Sequence, residues 1–207
     1  MIASGNVAWY VDRAGGLVAF ALLTVSVILG ILLSGRARSS WPRFALEDVH
    51  RFAGILAGVF IAVHGVGVLL DGYFHFSLAD LIVPGTAPYR PLATALGVVA
   101  AELLAALAVT NRLRKTISYA AWRRLHYLNF AVWLLALFHG IAAGSDSDTL
   151  WALAFYTVAA GSVAALTLWR VLRLRPRAAW ELRFWPALSG IVAAEVVFLL
   201  ALGLLHA

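Results

Sequence analysis

The sequence predicts an all-α integral membrane protein, a bundle of six transmembrane helices with both termini outside. Of its 207 residues, 63% are hydrophobic and only 13% are charged, a balance typical of membrane proteins. A bilayer core of roughly 30 Å needs about 20 apolar residues for each helical span. We interpret residues 1–207 as a single transmembrane domain. Its six apolar runs lie near residues 14–33, 47–70, 91–110, 122–143, 149–172 and 184–205.

The basic residues predict how these spans are oriented. All but two of the 16 Lys and Arg residues fall in or beside three connectors, at 34–51, 111–124 and 170–183, and the exceptions are Arg13 and Arg90. By the positive-inside rule the three connectors face the cytoplasm, so both termini face outward. The formal net charge of +6 then reflects membrane topology and contact with anionic lipid, not nucleic-acid binding. The expected location is the cell (inner) membrane, crossed several times.

The chain contains no cysteine. This excludes disulfides, iron–sulfur clusters, thiol catalysis and covalent haem attachment through C-x-x-C-H.

Two of the predicted spans each carry a pair of histidines. His50 and His64 are 14 residues apart in the second span, and His126 and His139 are 13 apart in the fourth. An ionisable residue inside a span indicates a functional site, because burial in hydrocarbon is costly without a partner. Both spans run outward from the cytoplasm. The histidines therefore pair at two depths separated by ~20 Å, at 1.5 Å of rise per residue.

Facing imidazoles at two depths predict two haem irons, each with both axial positions filled by histidine. The predicted ligands are His50 and His126 for the inner haem, and His64 and His139 for the outer haem. A zinc site is the alternative. It would need four ligands in one coordination sphere, and no third or fourth ligand is evident in the sequence near either depth.

Several neighbours of the histidines suit this interpretation. Gly54 and Gly58 lie one and two turns after His50 and form a strip without side chains for a porphyrin edge, although a small-xxx-small helix contact gives the same pattern. Trp133, about two turns after His126, is a candidate to fill the space between the two macrocycles, with ordinary packing as the alternative. Arg51 is a candidate to neutralise haem propionates.

The 13-residue spacing does not fit an ideal helix. At ~100° per residue, 14 residues return within about 40° of the same face, whereas 13 residues fall short by about 140°. The fourth helix must therefore tighten locally, tilt, or present its two ligands in different orientations.

The other titratable residues have simpler interpretations. We expect His75 to be solvated or interfacial and His206 to be frayed. Glu102 and Glu195 lie within the third and sixth spans, where they are either interior hydrogen-bonding groups or part of a proton path.

The stretch TNRLRKTISYAAWRRLHYLNFAVWLLALFHG resembles the haem-bearing core of the ferric reductase-like transmembrane superfamily, which includes NADPH oxidases and ferric reductases. The family pattern is a basic loop, an aromatic residue shortly before a histidine, and a second histidine followed by glycine. It maps onto Trp122, His126, His139 and Gly140. The family's other histidine pair maps onto His50 and His64, and the resemblance covers roughly residues 10–175.

This resemblance implies a b-type dihaem protein that moves electrons from a cytoplasmic donor, through the inner and outer haems, to an acceptor outside. Arg13 occupies a place similar to that of the family's arginine near the outer haem, and Arg90 is a second outer candidate. Either binds a propionate or an anionic acceptor, or merely anchors its helix at the interface.

The expected cofactors are two non-covalent haem b groups. Oxidases and ferric reductases of the family carry a C-terminal flavin and nicotinamide domain that these 207 residues lack. We therefore expect flavin only on a partner, with a cytoplasmic flavoprotein or quinol as the electron donor. The acceptor is left open among ferric iron, oxygen, quinone and a protein. The alternatives are a non-enzymatic haem-binding anchor or sensor subunit and a quinone-coupled membrane cytochrome b.

Overall fold

A computed structural model describes residues 4–35 and 40–173 of the chain. The described residues are helical and contain no β-strand, which confirms the all-α prediction. The helices are α1 (Ser4–Ser34), α2 (Arg43–Leu70), a 3-10 helix (Ala79–Leu81), α3 (Pro91–Arg112), α4 (Tyr119–His126), α5 (Asn129–Ala143) and α6 (Leu150–Arg173).

Five segments of the described chain are long and apolar enough to cross a membrane. They are Val7–Ser34, Arg43–Leu70, Pro91–Arg112, Tyr119–Ala143 and Leu150–Leu172. These segments correspond to the first five predicted runs, and α1 begins well before residue 14. The predicted run at 184–205, which contains Glu195, lies outside the described residues, and so does His206.

The surfaces of these helices are apolar. Leu92 on α3 is 85% exposed and Val158 on α6 is 68% exposed. Large apolar side chains exposed in this way suit contact with lipid, because hydrocarbon, unlike water, imposes no cost on them.

Local chemistry accounts for several helix boundaries. Pro91 opens α3, where its missing N–H removes no helical hydrogen bond. Arg90 precedes it in the left-handed region, with φ of 41°. Ser118 caps α4 by accepting a hydrogen bond from the Ala121 N–H at 3.2 Å. In the connector between α2 and α3, the backbone N–H and hydroxyl of Ser77 donate to Asp80 and lower the pKa of that carboxyl.

The predicted fourth span, 122–143, is two helices instead of one. A turn at residues 127–128 separates α4 from α5. The Asn129 amide donates to the His126 carbonyl at 2.7 Å, and that carbonyl would otherwise accept from the Phe130 N–H. The Phe130 N–H instead donates to the Tyr127 carbonyl at 3.1 Å, three residues back.

This tightening bears on the spacing of His126 and His139. The Leu128 N–H also bonds three residues back, to the Leu125 carbonyl at 2.9 Å. Each residue in such a 3-10 turn adds about 20° more rotation than an α-helical residue. His139 is thereby rotated toward the face that carries His126. Of the three arrangements that the 13-residue spacing allowed, local tightening is therefore present.

The described residues form two compact units. The first comprises residues 4–23 and 51–147, and the second comprises residues 24–35, 40–50 and 148–173. In the first unit α3 packs along α5 around the buried residues Ala100, Leu107 and Val132, with Leu103, Leu104 and Leu135 against them. In the second unit Ile31 and Val163 are buried, and a Cβ on Gly35 would approach the ring of Trp169 to 3.0 Å.

Within the first unit, α1 and α2 approach each other closely. A Cβ on Gly67 of α2 would lie 2.6 Å from the backbone nitrogen of Asp12, a distance that only glycine permits. A Cβ on Gly15 of α1 would lie 3.1 Å from the backbone nitrogen of His64. Glycines on both helices thus bring the Asp12 turn of α1 against the His64 turn of α2.

Candidate functional site

The predicted outer pair, His64 and His139, is brought together in the first unit. Their ring centroids are 6.1 Å apart and their planes are inclined by 71°. Both side chains are half-buried. The structure therefore places an imidazole of α2 close to an imidazole of α5.

This separation fits two imidazoles bound to one iron from opposite sides. Metal–nitrogen bonds to histidine are about 2 Å long, and roughly 1 Å more separates each Nε2 from its ring centre, so the centroids of two such ligands lie about 6 Å apart. The described residues contain no group of three or more His, Cys, Asp or Glu side chains arranged to hold a metal ion. A site with two histidines matches the donors present there better than a four-ligand zinc site does.

Each ring of the outer pair is held through Nδ1 by a neighbouring helix. The His64 Nδ1–H donates to the Asp12 carbonyl oxygen on α1 at 2.9 Å, and the His139 Nδ1–H donates to the Ala93 carbonyl oxygen on α3 at 2.9 Å. A carbonyl oxygen can only accept, so Nδ1 carries the proton in each ring. Nε2 then keeps its lone pair for a metal. Histidine ligands of metals are usually oriented by such a bond from the other ring nitrogen.

His50 is held in the same way in the second unit. Its Nδ1–H donates to the Ser26 carbonyl oxygen on α1 at 2.8 Å, and the Ser26 hydroxyl lies 3.2 Å from the same nitrogen. The Ser26 hydroxyl also donates to the His50 carbonyl at 3.3 Å. In this tautomer the His50 Nε2 carries no proton and can act as an acceptor.

A glycine follows each accepting carbonyl by four residues. A Cβ on Gly97, four after Ala93, would lie 2.7 Å from the His139 ring, and one on Gly16, four after Asp12, would lie 3.1 Å from the His64 Nδ1. A Cβ on Gly30, four after Ser26, would lie 3.4 Å from the His50 ring. In a helix the residue four positions on lies over the carbonyl, so a glycine there lets an imidazole approach that oxygen.

Our sequence interpretation did not identify these glycines. Gly16 and Gly30 are 14 residues apart on α1, the same spacing as the histidines on α2. The same 14-residue spacing on two successive spans could therefore have identified Gly16 and Gly30 from the sequence. Gly97 is not part of such a spacing, and its contact with His139 is evident only from the structure.

His126 is positioned by other contacts in the first unit. Its ring stacks on Trp122 one turn earlier, with centroids 5.0 Å apart and planes inclined by 24°. The Trp122 indole N–H donates to the Asn111 side-chain oxygen on α3 at 2.9 Å. Trp122, the aromatic residue of the predicted motif, thus orients His126 and is itself oriented by α3.

Three of the predicted cofactor neighbours lie in the first unit. Apart from its chain neighbours and the backbone of its own helix, no atom of the described residues lies within 4 Å of the position of a Cβ on Gly58, so this glycine borders open space beside α2. Gly54, one turn earlier, is half-buried. Trp133 is completely buried, and its ring stacks on Phe20 of α1 at 6.0 Å with an angle of 22°.

The predicted outer arginines are held by protein groups. The Arg13 guanidinium forms an ion pair with Asp146 and lies over the Trp9 ring at 4.9 Å. Arg90 donates to the Ala142 carbonyl near the end of α5 at 2.7 Å. These contacts are those of helix anchors, and a role toward propionates stays a prediction. Arg51 is exposed on α2.

Two further residues can be compared with their predictions. His75 is exposed in the connector between α2 and α3, in agreement with a solvated or interfacial residue. Glu102 is also exposed, on α3. Its role, as an interior hydrogen-bonding group or as part of a proton path, stays a prediction.

Comparison with known proteins gives one match. The family model described as "Ferric reductase like transmembrane component" matches residues 15–137. No curated protein and no solved structure matches the chain. The matched region contains the four turns that carry His50, His64, His126 and Trp133, and it ends two residues before His139.

The Gly97 contact predicts a specific variant. Gly97→Ala places a methyl group 2.7 Å from the His139 ring, so the imidazole must leave the Ala93 carbonyl. Loss of an orienting bond of this kind typically weakens metal binding 10- to 100-fold. We therefore expect the purified variant to retain the haem predicted at His126 and to lose the one predicted at His139, as measured by haem absorbance per chain.

Gly65→Ala is the matched control. Its Cβ would lie 3.6 Å from a Leu81 methyl group, an ordinary contact, on the residue next to His64. If Gly97→Ala and Gly65→Ala bind the same amount of haem, the proposed dependence of His139 on Gly97 is wrong.

Proposed function

Because the chain belongs to the ferric reductase-like transmembrane family, we propose that this multi-pass membrane redox protein binds two haem b groups and carries electrons across the membrane. Electrons would pass from a cytoplasmic donor to an acceptor outside. A bound haem b supplies an iron that cycles between two oxidation states by one electron. The chain's residues supply the ligands, the spacing and the electrostatic surroundings.

The closeness of the His64 and His139 rings is the observation that carries this proposal. Their 6.1 Å centroid separation suits a shared iron, and both rings present Nε2 because Nδ1 donates to a carbonyl. His64 and His139 would together hold the iron of a bound haem and leave little room for a substrate there, which would favour electron transfer over oxygen binding.

His50 and His126 are proposed as the inner pair. His50 supports this because its ring has the same tautomer and the same carbonyl–glycine support as His64. His126 supports it because Trp122 fixes the plane of its ring. The 14-residue spacing along α2 would separate the two irons by ~20 Å along the helix.

The surroundings of α2 suit a flat macrocycle. Gly58, which borders open space, and Gly54, one turn earlier, are proposed to form the edge of α2 that the cofactor would contact. Arg51, Arg13 and Arg90 are proposed to lie near carboxylate groups of the cofactors, in addition to their protein contacts.

We also propose how the protein is oriented in its membrane, which membrane this is and which partners it has. The arginine-rich connectors would face the cytoplasm of a cell (inner) membrane and provide a basic surface for an acidic flavoprotein donor. Quinol is the alternative electron donor. The acceptor meets the opposite side, where Arg13 and Arg90 are the candidate cationic groups.

A histidine series tests the proposal. We expect His64→Ala and His139→Ala each to remove one haem, the same one, and His50→Ala and His126→Ala each to remove the other. Haem absorbance per chain should fall by about half in every case, since a bis-histidine site fails when one ligand is lost. His75→Ala is the control, because this histidine is exposed in a connector, and it should retain the full absorbance.

The same series should be assayed in sealed vesicles with reduced flavin on one side and ferricyanide trapped on the other. Transfer should occur with wild-type protein and His75→Ala, and should fail in all four ligand variants. Four ligand variants that all keep the full haem absorbance would contradict the assignment. Haem that is bound but never reduced by the outside flavin would favour an anchor or sensor subunit.

Trp133 provides a test of the path between the two haems. It follows His126 by seven residues and precedes His139 by six, and its ring is completely buried against Phe20. We expect Trp133→Leu to retain both haems and to slow the transfer of electrons between them. The rate can be measured by rapid-mixing absorbance, with Trp133→Phe, which keeps an aromatic ring, as the control. Equal rates in wild type, Trp133→Phe and Trp133→Leu would show that Trp133 is packing alone.

A further inference from the structure

One charged group lies against a predicted ligand and has no role in the proposed function. A carboxylate oxygen of Asp12 lies 2.6 Å from the His64 Nδ1, beside the backbone carbonyl that accepts the Nδ1–H bond. That oxygen is buried. Asp12 therefore supplies His64 with both an uncharged acceptor and a negative charge.

This arrangement differs from those of two other predicted ligands. The bond from His139 goes to the Ala93 carbonyl, and the bond from His50 goes to the Ser26 carbonyl with a hydroxyl nearby. These hydrogen-bond partners are uncharged, whereas His64 also has the Asp12 carboxylate in contact with its ring.

The charge of Asp12 acts at short range. Its side chain is 22% exposed and that of His64 is 29% exposed, so solvent screens the contact only partly. The adjacent cation, Arg13, forms its ion pair with Asp146. The positive charge nearest in sequence is thus engaged by a different carboxylate.

A carboxylate next to the distal nitrogen of a ligating imidazole makes that ligand more basic. A more basic, partly anionic imidazole stabilises the oxidised, more positive iron relative to the reduced iron. Hydrogen bonding to an axial ligand is one of the means by which a protein sets the potential of a haem. The expected consequence is a lower reduction potential at the outer position.

We propose that Asp12 is a positioning residue that acts through His64 to lower the reduction potential of the outer haem. The inference rests on the proposed function, since it requires a haem at His64 and His139. Its effect is to make the outer site a stronger reductant toward the outside acceptor. Asp12 contacts His64 and would act on the haem through that ligand.

The test is a spectroelectrochemical titration of the purified protein with both haems bound, comparing wild type with Asp12→Asn. This change removes the charge and preserves the backbone carbonyl that orients His64. We expect one of the two midpoints, that of the haem lost in His139→Ala, to rise by at least the equivalent of a tenfold change in equilibrium constant, about 59 mV for one electron. The other midpoint should stay in place. The electron paramagnetic resonance signal of the same haem should shift as its axial ligand becomes less anionic.

Asp71→Asn is the charge control, because Asp71 lies just after α2 and hydrogen-bonds to the backbone N–H of Tyr73, not to a histidine. It should leave both midpoints unchanged. If Asp12→Asn loses the outer haem, Asp12→Glu and Asp12→Gln are compared instead. These two side chains have nearly the same size and shape, and Glu is charged whereas Gln is not, so the comparison tests whether the charge affects the outer haem. The Glu variant should then have the lower outer midpoint, and loss of the outer haem from the Gln variant alone would equally show that the charge matters.

Unchanged midpoints in Asp12→Asn, equal shifts of both haems, or equal behaviour of the Glu and Gln variants would overturn the inference while leaving the proposed function standing. Wild-type protein that binds no haem would instead overturn the proposed function itself.

Discussion

The hydrogen bond from a histidine Nδ1–H to a helix carbonyl is the interaction on which the site depends. It occurs at His64, His139 and His50, with lengths of 2.9, 2.9 and 2.8 Å. In each case the bond fixes the tautomer, turns the ring and leaves Nε2 as the only basic nitrogen. A buried polar group that lacked this bond would carry a desolvation cost, so the same contact also makes a histidine tolerable inside an apolar helix.

Glycine makes that bond possible. The imidazole can reach a carbonyl oxygen within a helix only where no side chain covers it, and Gly16, Gly30 and Gly97 meet this condition. Gly67 lets the backbones of α1 and α2 approach each other, because a Cβ there would overlap the backbone of Asp12. Close helix contacts through small residues are common in membranes, where the apolar solvent gives helices little reason to associate. Here the small residues also define where the histidines point.

Much of the fold and part of the site could be predicted from the sequence. Hydropathy located the first five spans because each needs about 20 apolar residues, and the histidines stood out because ionisable groups are rare in such spans. The break at residues 127–128 could not be predicted, since it depends on whether the Asn129 amide turns back to the His126 carbonyl. The supporting carbonyls Asp12 and Ala93 were also beyond reach, because any helical residue offers a carbonyl and only tertiary packing selects one.

We propose that this chain binds two haems through histidine pairs, and the two rings of one pair lie 6.1 Å apart. A pyridine haemochrome assay on the purified wild-type chain, scaled to protein concentration, is the decisive measurement. We expect haem b at two groups per chain. A chain purified from haem-replete cells with no haem, or with one group per chain, would contradict it.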